Sequence, residues 1–155
     1  MSDIVHEAVY PHPAERVWRA LTDPAAIAAW LMPNDFQPHV GHRFQFRATS
    51  APGFDGSVDS EILEIADERR LVYSWQRGGI DTRVIWTLEP LAGATRVRLE
   101  HTGFRGMNGF LVRPILARGW KRSIMRDKLP AVLDRVRDGV ALEPLGEDCT
   151  PGSVH

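Results

Sequence analysis

The strongest constraint on this chain is a set of three apolar alternations that agree with one another in register. Leu71, Tyr73 and Trp75 recur at every second position, as do Val84, Trp86 and Leu88, and then Val97, Leu99 and His101. A period of two belongs to strands with one covered face. Gly78-Gly79 and Ala92-Gly93 are two-residue turns between these runs. Residues opposite each other in an antiparallel pair share a face, so each turn sets a pairing. The first puts Tyr73 opposite Val84 and Leu71 opposite Trp86; the second puts Val84 opposite His101 and Trp86 opposite Leu99. Two rows, Tyr73-Val84-His101 and Leu71-Trp86-Leu99, therefore cross the covered face of an antiparallel sheet.

The remaining elements follow from period and punctuation. Asp3 to Tyr10 reads as a strand ended by Pro11 and Pro13. Pro13 suits a first helical position, with Glu15 in the first turn and Val17, Trp18 and Leu21 forming a stripe. Thr22 or Asp23 caps a second helix that Pro24 opens, with Ile27, Trp30 and Leu31 on one face and Pro33 as the stop. From Arg43 the period is two again, through Phe44 and Phe46, and APGFDG at 51–56 is turn chemistry. Ser57 to Ala66 is a strand whose apolar residues fall at both parities, Val58 and Ile62 against Leu63 and Ile65. That pattern implies a bulge or burial on two sides and leaves its faces unassigned. Pro90 ends the strand that carries Trp86. After a loop at Gly103 to Val112, Pro114 opens a helix that ends near Asp138-Gly139, about 25 residues and ~37 Å long. Its stripe of Leu116, Trp120, Ile124, Leu129, Leu133 and Val136 drifts around the axis, consistent with a bend at Pro130 beside the carbonyl of Arg126. Residues 1–140 make one domain and 141–155 a loose tail.

Composition narrows the function classes. The chain has 155 residues, 43% hydrophobic and 25% charged, with a formal net charge of −1, so charge supplies no reason to expect nucleic acid or an acidic membrane as partner. No run approaches the ~18 to 20 apolar residues of a membrane span, and no secretory leader is expected. Cys149 is the only cysteine, which suits a reducing cytoplasm. The six histidines include no HExxH, and His39 and His42 flank Gly41 in a loop where a structural role is expected. No metal and no cofactor are expected. Gly103 to Gly106 is too short for a phosphate loop, Ser57, Ser60 and Ser74 lack a nucleophile-elbow context, and no catalytic residue is assigned.

The segments AERVWRALTDPAAIAAWL at 14–31, RRLVYSW at 69–75, VIWTLEPLAGATRVRLEHTGF at 84–104 and GWKRSIMRDKLPAVLDRV at 119–136 resemble the START and pollen-allergen-like superfamily, often labelled SRPBCC. Within it the chain is similar to the branch named after the C-terminal domain of the activator of heat-shock protein 90 ATPase. The resemblance covers most of Ile4 to Val136 and implies an α+β helix-grip fold. In that fold a curved antiparallel sheet wraps a long C-terminal helix, and two short helices follow the first strand. His12 in HPAERVW departs from the small or apolar residue common in relatives. The fold commonly holds a cavity between sheet and helix.

That resemblance implies a ligand site lined by Trp30, Phe44, Phe46, Tyr73, Trp75, Trp86, His101, Trp120 and Ile124. The expected function is binding of a small hydrophobic or aromatic molecule in the cytoplasm. An alternative is an enzyme resembling polyketide aromatase/cyclases, with His101 and Tyr73, roughly 10 Å apart across two strands, as acid/base candidates. A third is a co-chaperone-like module using the basic helix surface: Arg113, Arg118, Lys121, Arg122, Arg126, Lys128, Arg135 and Arg137 stand against only Asp127 and Asp134. A chaperone partner is not expected, because the separate N-terminal domain of the full-length activator is lacking. A homodimer is left open.

Overall fold

The computed structural model of the chain describes residues 4–47, 57–77 and 80–138. The expected turns at 51–56 and 78–79, the tail at 141–155 and Cys149 lie outside the described residues. Six strands form one antiparallel sheet in the order β1-β6-β5-β4-β3-β2. They are β1 (Ile4–Tyr10), β2 (Arg43–Arg47), β3 (Ser57–Ala66), β4 (Arg70–Arg77), β5 (Ile80–Leu91) and β6 (Ala94–Thr102). Two short helices, α1 (Ala14–Thr22) and α2 (Pro24–Trp30), follow β1, and a continuous helical run from Gly106 to Asp138 follows β6. The sheet and this run make the helix-grip architecture.

Both expected rows are present: Tyr73 pairs with Val84 and Val84 with His101, while Leu71 pairs with Trp86 and Trp86 with Leu99. All six are buried. The mixed parity of β3 has a bulge as its cause. Its register against β4 shifts between Ile62 and Glu64, so Val58, Ser60 and Ile62 face inward before the shift and Ile65 packs on the core after it. Asp23 caps α2, its carboxylate accepting from the Ala25 N–H at 2.9 Å. Pro13 precedes α1 as its cap residue instead of opening the first turn.

Three prolines behave differently from expectation. Pro90 does not end β5, which continues to Leu91. Alternation from the closing pair Leu91-Ala94 turns the Pro90 nitrogen away from β6, toward the side where β4 has already stopped pairing, so no ladder bond is lost. Pro114 does not open the last helix. The expected loop at 103–112 is helical from Gly106, and Pro114 sits inside α3 (Gly106–Arg118). The carbonyl its missing N–H would have met belongs to Phe110, which is 66% exposed, so water can satisfy it. Pro130 acts upstream of itself. The ten residues Gly119–Lys128 form a π-helical segment with i to i−5 hydrogen bonding, followed by α4 (Leu129–Asp138).

The widened turns give Pro130 room that an α-helical Arg126 carbonyl would deny, and they leave the Met125 carbonyl facing a residue without an N–H. Tyr10 of β1 fills that vacancy, its buried hydroxyl donating to the Met125 carbonyl at 2.7 Å. Just before the segment His6 Nε2 donates to the Ala117 carbonyl at 3.1 Å. Strand β1 thus holds the helical run at two points, the last turn of α3 and the C-terminal part of the π-helical segment. Tyr10→Phe is expected to cost about 1–3 kcal/mol in urea unfolding, the penalty of an unpaired buried carbonyl. In a Pro130→Ala background, where residue 130 can donate, the cost is expected to shrink. An equal cost in both backgrounds would refute the coupling.

Candidate functional site

The core is one continuous cluster, with Val17, Leu21, Leu88, Val97, Leu99, Leu129 and Leu133 among its aliphatic members. Under the π-helical segment aromatic rings run through it in an unbroken chain, interleaved with residues such as Val84 and Leu71. Phe44 meets Phe46 at 5.1 Å between ring centroids and Tyr73 at 5.9 Å. Phe46 meets Trp75 at 5.4 Å, and Trp75 meets Trp120 at 5.6 Å. Trp120 then packs edge-on against Trp86 at 5.8 Å, and Trp86 against Trp30 at 5.5 Å. All eight aromatic and histidine members of the anticipated site therefore join one continuous layer, and Ile124 is buried in the same core one turn beyond Trp120.

The layer is packed ring to ring. Grooves on the surface of the described residues lie outside it. One of about 680 Å³ runs over the outer face of β2 to β5, lined by polar residues such as Arg43, Gln45, Asp59, Gln76 and Arg83, and it touches Phe44, Ser60 and Thr82. A notch of about 80 Å³ at the end of β5 and β6 is lined by Thr82, Gly103, Phe104 and neighbours. A third groove, about 420 Å³, lies between β1 and the π-helical segment and is lined by Lys121, Arg122 and Arg126 together with His6 and Glu7.

His101 is buried at the centre of the layer, with its hydrogen bonds fully assigned by chemistry. The Trp120 indole N–H can only donate, and it lies 3.0 Å from His101 Nδ1. Nδ1 therefore accepts and Nε2 carries the proton. Nε2 donates to the Thr82 hydroxyl at 2.7 Å, which donates in turn to the Trp75 carbonyl at 2.8 Å. Rings of Trp75, Phe104 and Trp120 enclose the imidazole at 5.5, 4.7 and 6.0 Å. Burial pushes its pKa down to about 3, because a second proton would face the indole N–H with no water to disperse the charge. Tyr73 does not meet His101. Its hydroxyl accepts from the Trp86 indole at 3.0 Å, and burial raises its pKa. With both ring nitrogens engaged, His101 has neither a free lone pair nor a free proton for acid/base chemistry in this arrangement.

Four contributors were not among the anticipated residues. Phe36 packs edge-on against Phe44 at 5.3 Å, and nothing in the loop around it signals this. Thr82 shares parity with Val84 and Trp86, a signal that was available. Phe104 is set on His101 by two glycines. Gly103 has φ +97°, and a Cβ there would stand 3.4 Å from the Asp81 carbonyl and the Thr82 Cα; a Cβ on Gly109 would stand 3.0 Å from the Phe104 backbone. Ser60, 5% exposed, was obscured by the bulge. Its hydroxyl has no hydrogen-bond partner among the described residues.

Elsewhere, His12 bridges α1 and α4, with Nδ1 2.9 Å from Arg16 and Nε2 3.2 Å from Asp134. His42 Nε2 donates to the Asp35 carbonyl at 2.9 Å. Among the described residues no three His, Cys, Asp or Glu side chains form a metal-binding group, and no helix is long and apolar enough to cross a membrane.

The neutral His101 has a consequence for stability. Its folded pKa lies below the ordinary value of 6.5, so between these values the unfolded chain binds the extra proton and stability falls as pH falls. The contribution is complete above about pH 6.5 and is lost toward pH 3. Between pH 7 and 4.5 the expected loss is ~2–3 kcal/mol, absent in His101→Gln. Equal pH dependence of the two proteins in urea unfolding would mean that the site is not closed to protons.

The family profile for activator of Hsp90 ATPase homolog 1-like protein matches residues 11–134. Protein MLL2253 from Mesorhizobium loti is 36% identical, with 86% of this chain and 98% of that one covered and a TM-score of 0.75. DynU16, of the dynemicin biosynthetic locus, is 21% identical over 92% of this chain and 50% of that one, with a TM-score of 0.69. The Aha1 dimer protein from Colwellia psychrerythraea is 18% identical over 92% and 98%, with a TM-score of 0.65. These last two share the fold. None of the curated proteins compared with the chain matches it. A profile that runs from α1 into α4, across the aromatic layer and the helix above it, makes this chain a member of the activator of Hsp90 ATPase homolog 1-like family.

Proposed function

We propose that residues 1–140 form a cytoplasmic binding domain for a small hydrophobic or aromatic molecule, held between the inner face of the sheet and the π-helical segment. The observation that supports it is the continuous chain of aromatic rings under the π-helical segment, from Phe44 and Phe46 through Trp75 and Trp120 to Trp86 and Trp30. Aromatic faces with a few fixed polar groups are what planar ligands bind. The helical segment above them is π-helical, a form found frequently at functional sites. Because the layer is closed, the ligand enters by displacing side chains, and α3 is the element placed to allow it. Its main neighbour is the π-helical segment that follows, and it leaves Phe110, Leu111 and Ile115 in solvent. The likeness of fold to DynU16, which comes from a biosynthetic locus, agrees with a small-molecule role.

The test is a titration of the folded protein with one- to three-ring aromatic compounds, followed by the indole N–H signals in a nitrogen-proton correlation spectrum. Saturable shifts of the Trp75, Trp86 and Trp120 signals are expected. Titration to the solubility limit that moves none of them, or shifts confined to Arg43, Gln45, Gln76 and Arg83 on the outer face, would overturn the proposal.

A second reading, docking of an acidic protein surface, has its own support in the groove beside β1, where Lys121, Arg122 and Arg126 are exposed. It predicts that the protein binds poly-glutamate at low salt and that Arg118→Glu, Arg122→Glu and Arg126→Glu together weaken this at least tenfold without shifting the unfolding midpoint. Unchanged binding by the triple variant would remove it.

A further inference from the structure

Ser60 is the one buried side-chain polar atom without a hydrogen-bond partner among the described residues. It is 5% exposed on the inner face of β3. On one side it pairs with Phe44 of β2. On the other, the register from Asp59-Gln76 to Ile62-Tyr73 sets it opposite Trp75. Tyr73 is hydrogen-bonded to Trp86, and His101 to Thr82 and Trp120. A hydroxyl left unpaired among rings destabilises the folded state, and an alanine of nearly the same size would avoid the loss. Among the described residues nothing satisfies its hydrogen bond, which leaves that role open to a bound molecule.

Resting on the small-molecule reading above, we infer that Ser60 is the polar selector of the aromatic layer: the ligand is a planar aromatic carrying a hydroxyl or carbonyl group that hydrogen-bonds to Ser60 while its rings lie against Phe44, Phe46 and Trp75. A serine hydroxyl both donates and accepts, so either oxygen function fits, whereas a pure hydrocarbon leaves Ser60 unpaired. Discrimination of this kind is large because rejecting the wrong ligand costs a buried unsatisfied group.

Two probes of equal shape, 2-naphthol and 2-methylnaphthalene, test the inference on the wild-type chain and on Ser60→Ala. Wild type is expected to prefer 2-naphthol by about 5- to 10-fold over the preference shown by Ser60→Ala, the range of one buried hydrogen bond. Ser60→Ala is expected to keep its affinity for 2-methylnaphthalene. In the absence of probe its urea midpoint is expected to stay level or rise, since the unpaired hydroxyl is gone. Equal preference in the two proteins overturns the selector role and leaves the binding reading standing. A lowered midpoint for unliganded Ser60→Ala also overturns it, by showing that the hydroxyl is already satisfied in the free protein. Failure of both probes to bind either protein overturns the selector and the binding reading together.

Discussion

The hydrogen bond from the Tyr10 hydroxyl to the Met125 carbonyl holds the architecture together at its most demanding point. Pro130 cannot donate, so the helix before it opens to π-helical spacing and offers a buried carbonyl that needs a partner from elsewhere. That partner is 115 residues away on an edge strand. The bond fixes how the helical run lies on the sheet, and through that placement it brings Trp120 onto His101 and Trp75. Tyr10 is deeply buried and its pKa is raised by that burial, so the tie stays neutral and donating through the physiological range.

From this placement the polar chain of the aromatic layer follows. The Trp120 indole settles which His101 nitrogen is protonated, and the imidazole passes the direction on through Thr82 to a strand carbonyl. Both nitrogens of His101 and the donor of Trp120 are thereby engaged, and breaking either link strands a polar group in a low-dielectric interior. This explains why the histidine that parity sends into the core belongs to the framework of the site. Ser60, outside the network, is the exception that makes the layer chemically asymmetric.

Membership of the activator of Hsp90 ATPase homolog 1-like family sets the fold and leaves the use of its two surfaces to physics. The inner face is apolar and buried, and the face beside β1 is basic and exposed. A small molecule and an acidic protein would occupy different places and answer to different variants, so the two readings are separable in one purified protein.

The alternation of apolar residues by itself determined the sheet. Leu71, Tyr73, Trp75, Val84, Trp86, Leu99 and His101 meet as their parity and two short turns require, since a slip of one residue would expose every large side chain. It also set the inward face of Tyr73, Trp75 and Trp86, while Phe36 and Phe104 gave no such signal. What only the tertiary structure decided depends on groups far apart in the chain. Pro114 looked like a helix start, yet it lies inside α3 because Phe110 is open to solvent. Pro130 looked like a simple bend, yet it governs ten residues upstream because Tyr10 supplies the missing hydrogen bond. Ser60 had no assignable face until the bulge after Ile62 was placed. The hydrogen-bonding state of His101 depended on Trp120, two secondary elements away, and no local pattern records which nitrogen a distant indole will reach.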